Sequence, residues 1–367
     1  MISEGDGSVQ CTRKHSWPLR SVIVLATLLG MSVAVCCAKP VQVADRFGRG
    51  VNILSTDGMF RPGDGSRFSV ATFGRLHALG FGHVRINALP FEWVGSNGQL
   101  QERWIAILRH LIDAARTAGL SVVVDVHEFQ ACQRDLSGCE TKLDAVWKAL
   151  SRRLSDYDDR VGFEILNEPG GAIDAESWNR ILARELAVIR RLNPDRTVII
   201  GPVGGPLASA LARLKLPRGD HNILVDVHYY DPFQFTHQGA PWTHLTDAVG
   251  VDWGSAEDIA RLKRDFDAIA AWGKAEGRDL YLGEFGVYEK APTAPRFCFL
   301  YRVAREAEAR GWSWSYWQLT SDFALMDEKT GTWQDWILAA LLMPETSGLC
   351  VPPSPGVLIR TPESPLP

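Results

Sequence analysis

The sequence has no Cys-x-x-Cys pair and no His-x-His pair, so it lacks two common spacings of zinc ligands. It also has no Gly-x-Gly-x-x-Gly run after the first predicted strand and no phosphate-binding loop, which removes the best support for nucleotide chemistry. Basic clusters are missing too, because Lys and Arg are scattered and the net charge is -4. The charge pattern therefore favours neither nucleic acid nor an anionic membrane as a partner. The sequence predicts no metal and no cofactor.

What the sequence does contain is typical of a globular protein. It has 367 residues, of which 46% are hydrophobic and 22% charged, enough for one large core rather than several small domains. At the N-terminus, three basic residues precede an uncharged apolar run at 21–37, which Ala38 follows. This order predicts an export signal at 1–38 and a secreted or periplasmic protein without stable membrane insertion. An uncleaved N-terminal anchor is the alternative.

Removal of that segment leaves four cysteines, and four cysteines in an exported chain indicate two disulfides. A Cys132–Cys139 bond would staple one loop, and a Cys298–Cys350 bond would tie down the C-terminal region. Four cysteines allow three connectivities, so the other pairings stay open. From Pro344 onward the sequence has seven prolines, and we expect residues 344–367 to form a surface tail.

Between residues 51 and 342, short apolar β-branched runs alternate with longer amphipathic stretches, the pattern of repeated βα units. Eight strands are predicted, near Val51–Ile53, His83–Ile86, Ser121–His127, Val161–Leu166, Thr197–Ile200, Ile223–His228, Leu280–Gly283 and Ser313–Tyr316. The stretches between them have single apolar faces, and Gly119 and Gly273 are expected at helix ends. Eight units in this length predict a single-domain α/β fold, a (β/α)8 TIM barrel, at residues 39–343.

Polar side chains close these strands, and the active site of such a barrel lies at the C-terminal ends of its strands. The candidates are Arg85, His127, Asn167, Glu168, His228, Tyr230, Glu284 and Trp317. Side-chain alternation groups Asp125 with His127, Glu164 with Glu168, Asp226 with His228 and Tyr230, and Leu282 with Glu284. If these groups point inward, the deeper carboxylates Asp125, Glu164 and Asp226 are expected to support the others.

Two glutamates on different strands, surrounded by hydrogen-bond donors and an aromatic face, suit cleavage of a glycosidic bond. We expect Glu168 to be the protonated acid/base and Glu284, stabilised by Arg85 and Tyr230, to be the nucleophile. Asn167 is expected to bind a sugar hydroxyl and Trp317 to stack on the sugar ring, with His127 and His228 orienting other groups. Trp93 and Trp242 are candidates for outer subsites. Asp231 and His237 more often belong to loop structure.

Seven runs of residues resemble the ordered motifs of glycoside hydrolase family 5, the cellulase family, over roughly residues 41–342. They are Arg49–Ile53, His83–Ile86, Asp125–His127, Phe163–Pro169, Asp226–Tyr230, Leu282–Gly286 and Trp314–Trp317. The stretch at 230–239 further resembles bacterial endoglucanase-like members. The resemblance implies a retaining mechanism, with the two glutamates in the roles given above and the other six candidates lining the cleavage subsite. The loop between Cys132 and Cys139 departs from the family pattern and puts the choice of glycan in doubt.

The function predicted is a secreted, monomeric endo-β-1,4-glucanase that acts on a β-glucan polysaccharide. A mannanase, xyloglucanase, xylanase or β-1,3-glucanase would use the same chemistry. A sugar-binding barrel without activity would be expected to lack one of the key carboxylates, and both are present. A metal-dependent hydrolase, using His127 and His228, is the remaining alternative.

Overall fold

A computed structural model describes residues 47–54, 69–204, 207–344 and 350. Its strands are β1 Arg49–Leu54, β2 His83–Ala88, β3 Ser121–Val126, β4 Val161–Glu164, β5 Val198–Ile200, β6 Ile223–Tyr229, β7 Asp279–Phe285 and β8 Ser313–Tyr316. They form a closed parallel barrel in sequence order, and β1 pairs with β8 from Arg49 opposite Trp314 to Val51 opposite Tyr316. The predicted (β/α)8 barrel is therefore confirmed, and each of the eight predicted strands overlaps an observed strand.

Helices alternate with the strands and cover the outside of the barrel. They are α1 Ala71–Leu79, α2 Glu102–Thr117, α3 Phe129–Arg134, α4 Leu136–Arg153, α5 Ala175–Arg190, α6 Leu207–Arg213, α7 Phe233–Thr236, α8 Ala256–Glu276, α9 Thr293–Ala309 and α10 Asp335–Leu342. The apolar stripe of α2 is buried as predicted, with Trp104, Leu108 and Ile112 at its centre. Strand and helix faces thus share one continuous core around the barrel.

The end of α8 differs from the prediction. Gly119 has the expected positive φ, 94°, but Gly273 lies inside α8. The helix ends at Glu276, and the residue that caps it is Gly277, with φ 61°. A Cβ at Gly273 would lie 2.9 Å from the side chain of Leu280, so this glycine allows α8 to approach β7 closely. The glycine is required by a contact between elements and not by the helix end, which is why spacing alone misplaced it.

The lower barrel interior is apolar and closed. Phe47, Val123, Ile199, Leu224 and Tyr281 form a cluster inside the ring of strands. His83 is buried beside them, with Nε2 2.9 Å from the Tyr281 hydroxyl, and burial lowers the pKa of His83 to about 4. A neutral imidazole therefore completes this floor, and the polar groups of the barrel lie above it.

Strand β7 contains a bulge that changes which side chains point inward. Val227 pairs with Leu282 but His228 pairs with Glu284, so Gly283 is an extra residue in β7. Tyr281 belongs to the interior cluster and Leu282 to the helix-facing core, whereas Glu284 points inward again. The predicted grouping of Leu282 with Glu284 is therefore wrong, because strict alternation stops at the bulge.

Two disulfides join the cysteine pairs favoured by the sequence, Cys132–Cys139 and Cys298–Cys350. The predicted export signal at 1–38 lies outside the described residues, as does the tail except for Pro344 and Cys350. Over the described ranges, no helix is long and apolar enough to cross a membrane.

Candidate active site

Arg85 lies in the centre of the upper barrel, where it organises the polar groups. Its guanidinium donates to both oxygens of Glu164 at 2.7 Å, to Asn167 Oδ1 at 2.8 Å and to Glu284 Oε1 at 2.8 Å. Arg85 lies in the middle of β2 and not at its end, since the strand continues to Ala88, two residues beyond the predicted end at Ile86. All of these groups are buried, so the bonds act in a medium of low polarity, where charge-assisted contacts are strong.

Glu284 is held by two donors from different strands. Oε1 accepts from Arg85, and Oε2 accepts from the hydroxyl of Tyr230 at 2.9 Å. The bulge supports this position, because the backbone N–H of Gly283 donates to Asp226 Oδ1 at 2.8 Å. A Cβ at Gly283 would lie 2.3 Å from the same oxygen, so only glycine allows this contact. The carboxylate is therefore fixed in direction, as a nucleophile must be.

Glu168 occupies a different environment from Glu284. Strand β4 ends at Glu164, so Glu168 lies in the loop beyond it, with a left-handed backbone at φ 38°. Its side chain is 43% exposed, whereas that of Glu284 is 5% exposed. Burial acts to raise the pKa of Glu168, but the hydrogen bond and charge of His228 outweigh it and hold the pKa below its ordinary value. In the free site, the contact with His228 therefore favours the carboxylate form of Glu168.

His228 lies between three carboxylates. Nδ1 is 2.8 Å from Glu168 Oε1 and 3.6 Å from Glu284 Oε2, and Nε2 is 3.0 Å from Asp226 Oδ2. Burial opposes its charge, but Glu284 and Asp226 raise the pKa of His228 well above the ordinary value. The imidazolium therefore holds a proton within hydrogen-bond distance of Glu168.

His127 and Trp317 form the opposite wall of the site. His127 Nδ1 lies 2.7 Å from Asp125 Oδ2, and its ring stacks on Trp317 with centroids 5.5 Å apart at 16°. Arg85 and His127 hold the pKa of Asp125 below its ordinary value, although burial opposes them. Trp317 is only partly buried, so its indole stays open to a ligand. Asp125 thus fixes His127, which in turn fixes the plane of Trp317.

The two glutamates are close enough to act on one bond. One oxygen of Glu168 and one oxygen of Glu284 lie within 4.8 Å of each other, with His228 beside both. A pair that activates water for direct displacement needs a separation of roughly 6.5 to 9.5 Å, whereas a nucleophile and an acid need about 5 to 5.5 Å. With one oxygen of each within 4.8 Å, the two side chains can contact the same small group of a ligand.

The same carboxylates raise the question of a metal. Glu164 with Asp226 and His228, and Glu168 with His228 and Glu284, each bring three ligand atoms within 4.8 Å. Both groups require His228, whose raised pKa and two carboxylate partners favour the imidazolium. A metal ligand must be the neutral imidazole, so a metal ion at either group would have to displace a proton from His228.

A cavity of about 950 Å³ opens beside Glu168, on the side of β4 to β6. Its walls include Gln133, Gly171, Val203 and Arg213, and it reaches His228. The predicted outer aromatics lie elsewhere on the rim. Trp242 is 53% exposed and packs edge-on against Tyr288, with centroids 5.0 Å apart, while Trp93 is partly buried in the short helix after β2.

The structure brings the eight predicted site residues into one network, in which Arg85 bonds directly to Asn167 and Glu284, and Asp125, Glu164 and Asp226 lie beneath them. His237 is a packing residue, since it stacks on Phe233 at 4.0 Å and contacts the edge of Tyr230. Sequence reasoning missed Asn52, whose Oδ1 accepts from Arg85 at 2.8 Å and whose Nδ2 donates to Gly283 O at 2.9 Å. A polar residue inside the apolar run of β1 was the available signal. It also missed Asn87, which donates to Asn52 and to Asp125.

The chain is similar to cellulases of known sequence and structure. The model of the family described as cellulase (glycosyl hydrolase family 5) matches residues 63–323. Endoglucanase H of Acetivibrio thermocellus is 28% identical over 321 residues, which cover 84% of this chain and 34% of that protein. The cellulase/esterase CelE of the same organism is 27% identical over 299 residues, covering 73% of this chain and 35% of the relative. The chain thus spans about a third of the length of these two relatives.

Among solved structures, an endoglucanase from the hyperthermophilic Thermotoga maritima is 35% identical, with a TM-score of 0.77. The match covers 82% of this chain and 98% of that one. Structures of the Thermotoga protein include complexes with mannotriose and with cellobiose.

Proposed function

Because the chain belongs to glycosyl hydrolase family 5, the cellulase family, we propose that it is a retaining endo-β-1,4-glucanase with Glu284 as nucleophile and Glu168 as acid/base. The observation that carries this proposal is that Glu168 and Glu284 both face Nδ1 of His228, with one oxygen of each within 4.8 Å of the other. The chain is a glycoside hydrolase by family, and the roles of its individual residues are the proposal.

In the first step, Glu284 attacks the anomeric carbon, and the glycosidic oxygen leaves with a proton. Glu168 delivers that proton to the leaving oxygen. The proton comes from the pair that Glu168 forms with His228, whose Nδ1 lies 2.8 Å from Glu168 Oε1, and it moves to the leaving oxygen as negative charge develops there. The product of this step is a glycosyl ester of Glu284 and a shortened glucan.

In the second step, Glu168 acts as a base. It removes a proton from a water that attacks the anomeric carbon, and the ester to Glu284 breaks. Arg85 and Tyr230 stabilise the departing carboxylate through the bonds they make to it in the free site. Two inversions leave the product with the configuration of the substrate. His228 regains its proton as the site returns to its resting state.

The β-1,4-glucan substrate is proposed from the curated relatives, which are named as endoglucanases and a cellulase. The mannotriose complex of the Thermotoga relative makes a β-mannan the second candidate. We further propose that the protein is secreted after loss of residues 1–38, that its catalytic domain spans 39–343, and that it acts as a monomer. The two disulfides of the structure support export, because such bonds persist in oxidising compartments.

The proposal is tested by product analysis on carboxymethylcellulose, mixed-linkage glucan, mannan, xylan, xyloglucan and laminarin. We expect the highest rate on a β-1,4-glucan, internal cleavage, and retention of configuration when the first product is observed by NMR. Glu284→Ala should lower kcat by about a thousandfold or more, and Glu168→Ala by about a hundredfold or more on sugar leaving groups. Glu289→Ala, an exposed carboxylate nearby, is the matched control and should keep the native rate.

Undiminished activity of Glu284→Ala would overturn the mechanism. Inversion of configuration would overturn the retaining assignment, and a preference for mannan would replace the glucan substrate. Loss of activity on dialysis against a chelator would favour the metal-dependent alternative.

A further inference from the structure

The loop that carries Glu168 is clamped from outside by the segment between β3 and α4. We infer that Gln133, held in place by the Cys132–Cys139 disulfide, is a positioning residue for the acid/base Glu168. The inference rests on the function proposed above, because it concerns how that carboxyl group is aimed at the leaving oxygen.

Glu168 needs such support for two reasons. It lies four residues beyond the end of β4, and the backbone bond from Asn167 N–H to Val126 O, 3.0 Å long, precedes it by one residue. Its φ of 38° is in the left-handed region, which is unfavourable for a residue with a Cβ and persists only where neighbouring contacts enforce it. Glu284, by contrast, lies within β7 and receives two side-chain hydrogen bonds.

Gln133 contacts the loop at both of its ends. Its carbonyl oxygen accepts from the backbone N–H of Ala172 at 2.8 Å, and its Nε2 donates to the carbonyl oxygen of Glu168 at 3.5 Å. Between these contacts, Gly171 lies against Gln133 with φ 61°, and a Cβ there would lie 2.7 Å from the carbonyl oxygen and from the Cβ of Gln133. The turn from Glu168 to Ala172 therefore lies directly against Gln133, and the backbone N–H of Gly204 donates to it separately at Pro169 O, at 2.9 Å.

The disulfide fixes that residue. Gln133 belongs to α3, a helix of six residues, which is too short to be stable by itself. Cys132 is the residue before Gln133, and its bond to Cys139 joins α3 to the first turns of α4, a helix of 18 residues that packs on the barrel. Both sulfur-bearing side chains are buried, so the link belongs to the core and transmits the position of α4 to Gln133.

A misplaced acid has a kinetic signature that general destabilisation does not have. An acid/base residue is needed when the leaving group is a sugar, but not when it is an activated phenol that departs without a proton. The value of kcat/KM reports the step in which the leaving group departs. We therefore compare kcat/KM on cellotetraose with kcat/KM on 2,4-dinitrophenyl β-cellobioside, at a temperature where thermal unfolding shows every variant to be folded.

The first test removes the clamp through Cys132→Ser with Cys139→Ser. We expect kcat/KM on cellotetraose to fall by about tenfold or more, while kcat/KM on the dinitrophenyl substrate stays within about twofold. The matched control is Cys298→Ser with Cys350→Ser, which deletes the other disulfide of the structure and should change the two substrates equally. Equal losses on both substrates in the first variant, or no loss on either, would overturn the inference.

The second test keeps the disulfide intact. Gly171→Ala pushes a methyl group into Gln133, whereas Gly277→Ala adds the same group at the same φ of 61° with no atom within 4 Å. Both variants meet the same backbone strain, so only Gly171→Ala should lose activity selectively on cellotetraose. An identical profile for the two variants would count against the clamp.

Glu168→Ala is measured alongside to distinguish a failure of the acid/base assignment of Glu168 from a failure of the positioning role of Gln133. If it loses activity on cellotetraose but not on the dinitrophenyl substrate, the acid/base assignment stands, and the clamp variants decide the inference. If it shows no dependence on the leaving group, the assignment of Glu168 fails and the inference fails with it.

Discussion

Arg85 binds both oxygens of Glu164 through two parallel hydrogen bonds of 2.7 Å, and both side chains are sealed from solvent. Burial, with Asp125 and Asp226 nearby, raises the pKa of Glu164, and Arg85 works against this shift. The pair is therefore a single unit on which the direction of Glu284 also depends. Lysine cannot replace it, because an ammonium group is a point charge without the planar fork of arginine.

Arg85→Lys should accordingly reduce both stability and activity. We expect a loss of about 3 to 5 kcal/mol in the free energy of unfolding, because a buried pair is broken, together with a fall in kcat of at least about a hundredfold. Arg109→Lys is the matched control, since Arg109 also makes a two-bond pair, with Asp156, but at the surface. Its cost should be at most about 1 kcal/mol in urea unfolding. Similar costs for the two variants would show that burial of Arg85 is unimportant.

His228→Asn should change the pH profile of kcat/KM. In the native protein the proton shared by His228 and Glu168 is lost only at high pH, because neighbouring carboxylates raise the pKa of His228. Without the imidazolium, the proton resides on Glu168 alone, and a carboxyl loses it at lower pH. We therefore expect the alkaline limb for a sugar leaving group to move to lower pH, while His110→Asn on the exposed face of α2 leaves it in place. An unmoved limb in His228→Asn would exclude His228 as the proton store.

Glu185→Gln should stabilise the protein at high pH only. Glu185 is buried on α5 with one oxygen bound to Arg184, and burial raises its pKa from 4.5 to about 7. A raised carboxyl pKa favours the folded state below the unfolded value, and this contribution is lost as pH rises through about 7. The variant should match the native protein near about pH 5 and exceed its free energy of unfolding by about 1 to 3 kcal/mol near about pH 8. The exposed Glu176→Gln on the same helix should show no such difference, and a pH-independent effect of Glu185→Gln would contradict the shift.

Trp242→Ala should weaken binding of long glucans without affecting short substrates. The indole is 53% exposed at the rim and rests edge-on against Tyr288, so it presents a face to a sugar ring. We expect KM for cellohexaose to rise about fivefold, with kcat/KM for the dinitrophenyl cellobioside unchanged. Leu192→Ala removes an equally exposed apolar side chain, 50% exposed, and serves as the control for surface effects. A rise in KM for both variants, or for neither, would remove Trp242 from the binding surface.

Most of the barrel could be predicted from the sequence, because each strand buried on both faces has to be a short β-branched run. The runs around Val122 and Val198 illustrate this, since every residue of β3 and β5 is buried. The site residues followed from their places at or beyond strand ends. Alternation also placed Asp125, Glu164 and Asp226 inside the barrel, where the structure has them.

The errors have a common physical origin in contacts between residues far apart in the sequence. Gly283 allows a bulge because Asp226 on the neighbouring strand approaches its backbone, and Gly273 stays helical because Leu280 packs against it. Neither contact leaves a periodic signal. The lowered pKa of Glu168 depends on His228, which is 60 residues away, so the type of residue alone could not indicate it. Nothing in the sequence pointed to a role for Gln133 except its position beside Cys132.

The side chain of Asn52 connects the first two strands of the barrel to the seventh. Asn52 lies on the first strand, and its amide donates to the carbonyl oxygen of Gly283, 231 residues later, while its oxygen accepts from Arg85. During synthesis, the first half of the barrel emerges long before β7. Asn52 and Arg85 therefore lack their partners on that strand, Gly283 and Glu284, until the barrel closes. The side chain of Glu284 is therefore fixed in orientation only when the strands close into the complete barrel. Recovery of hydrolysis during refolding should coincide with the burial of Trp314 on β8, and no earlier intermediate should cleave glucan.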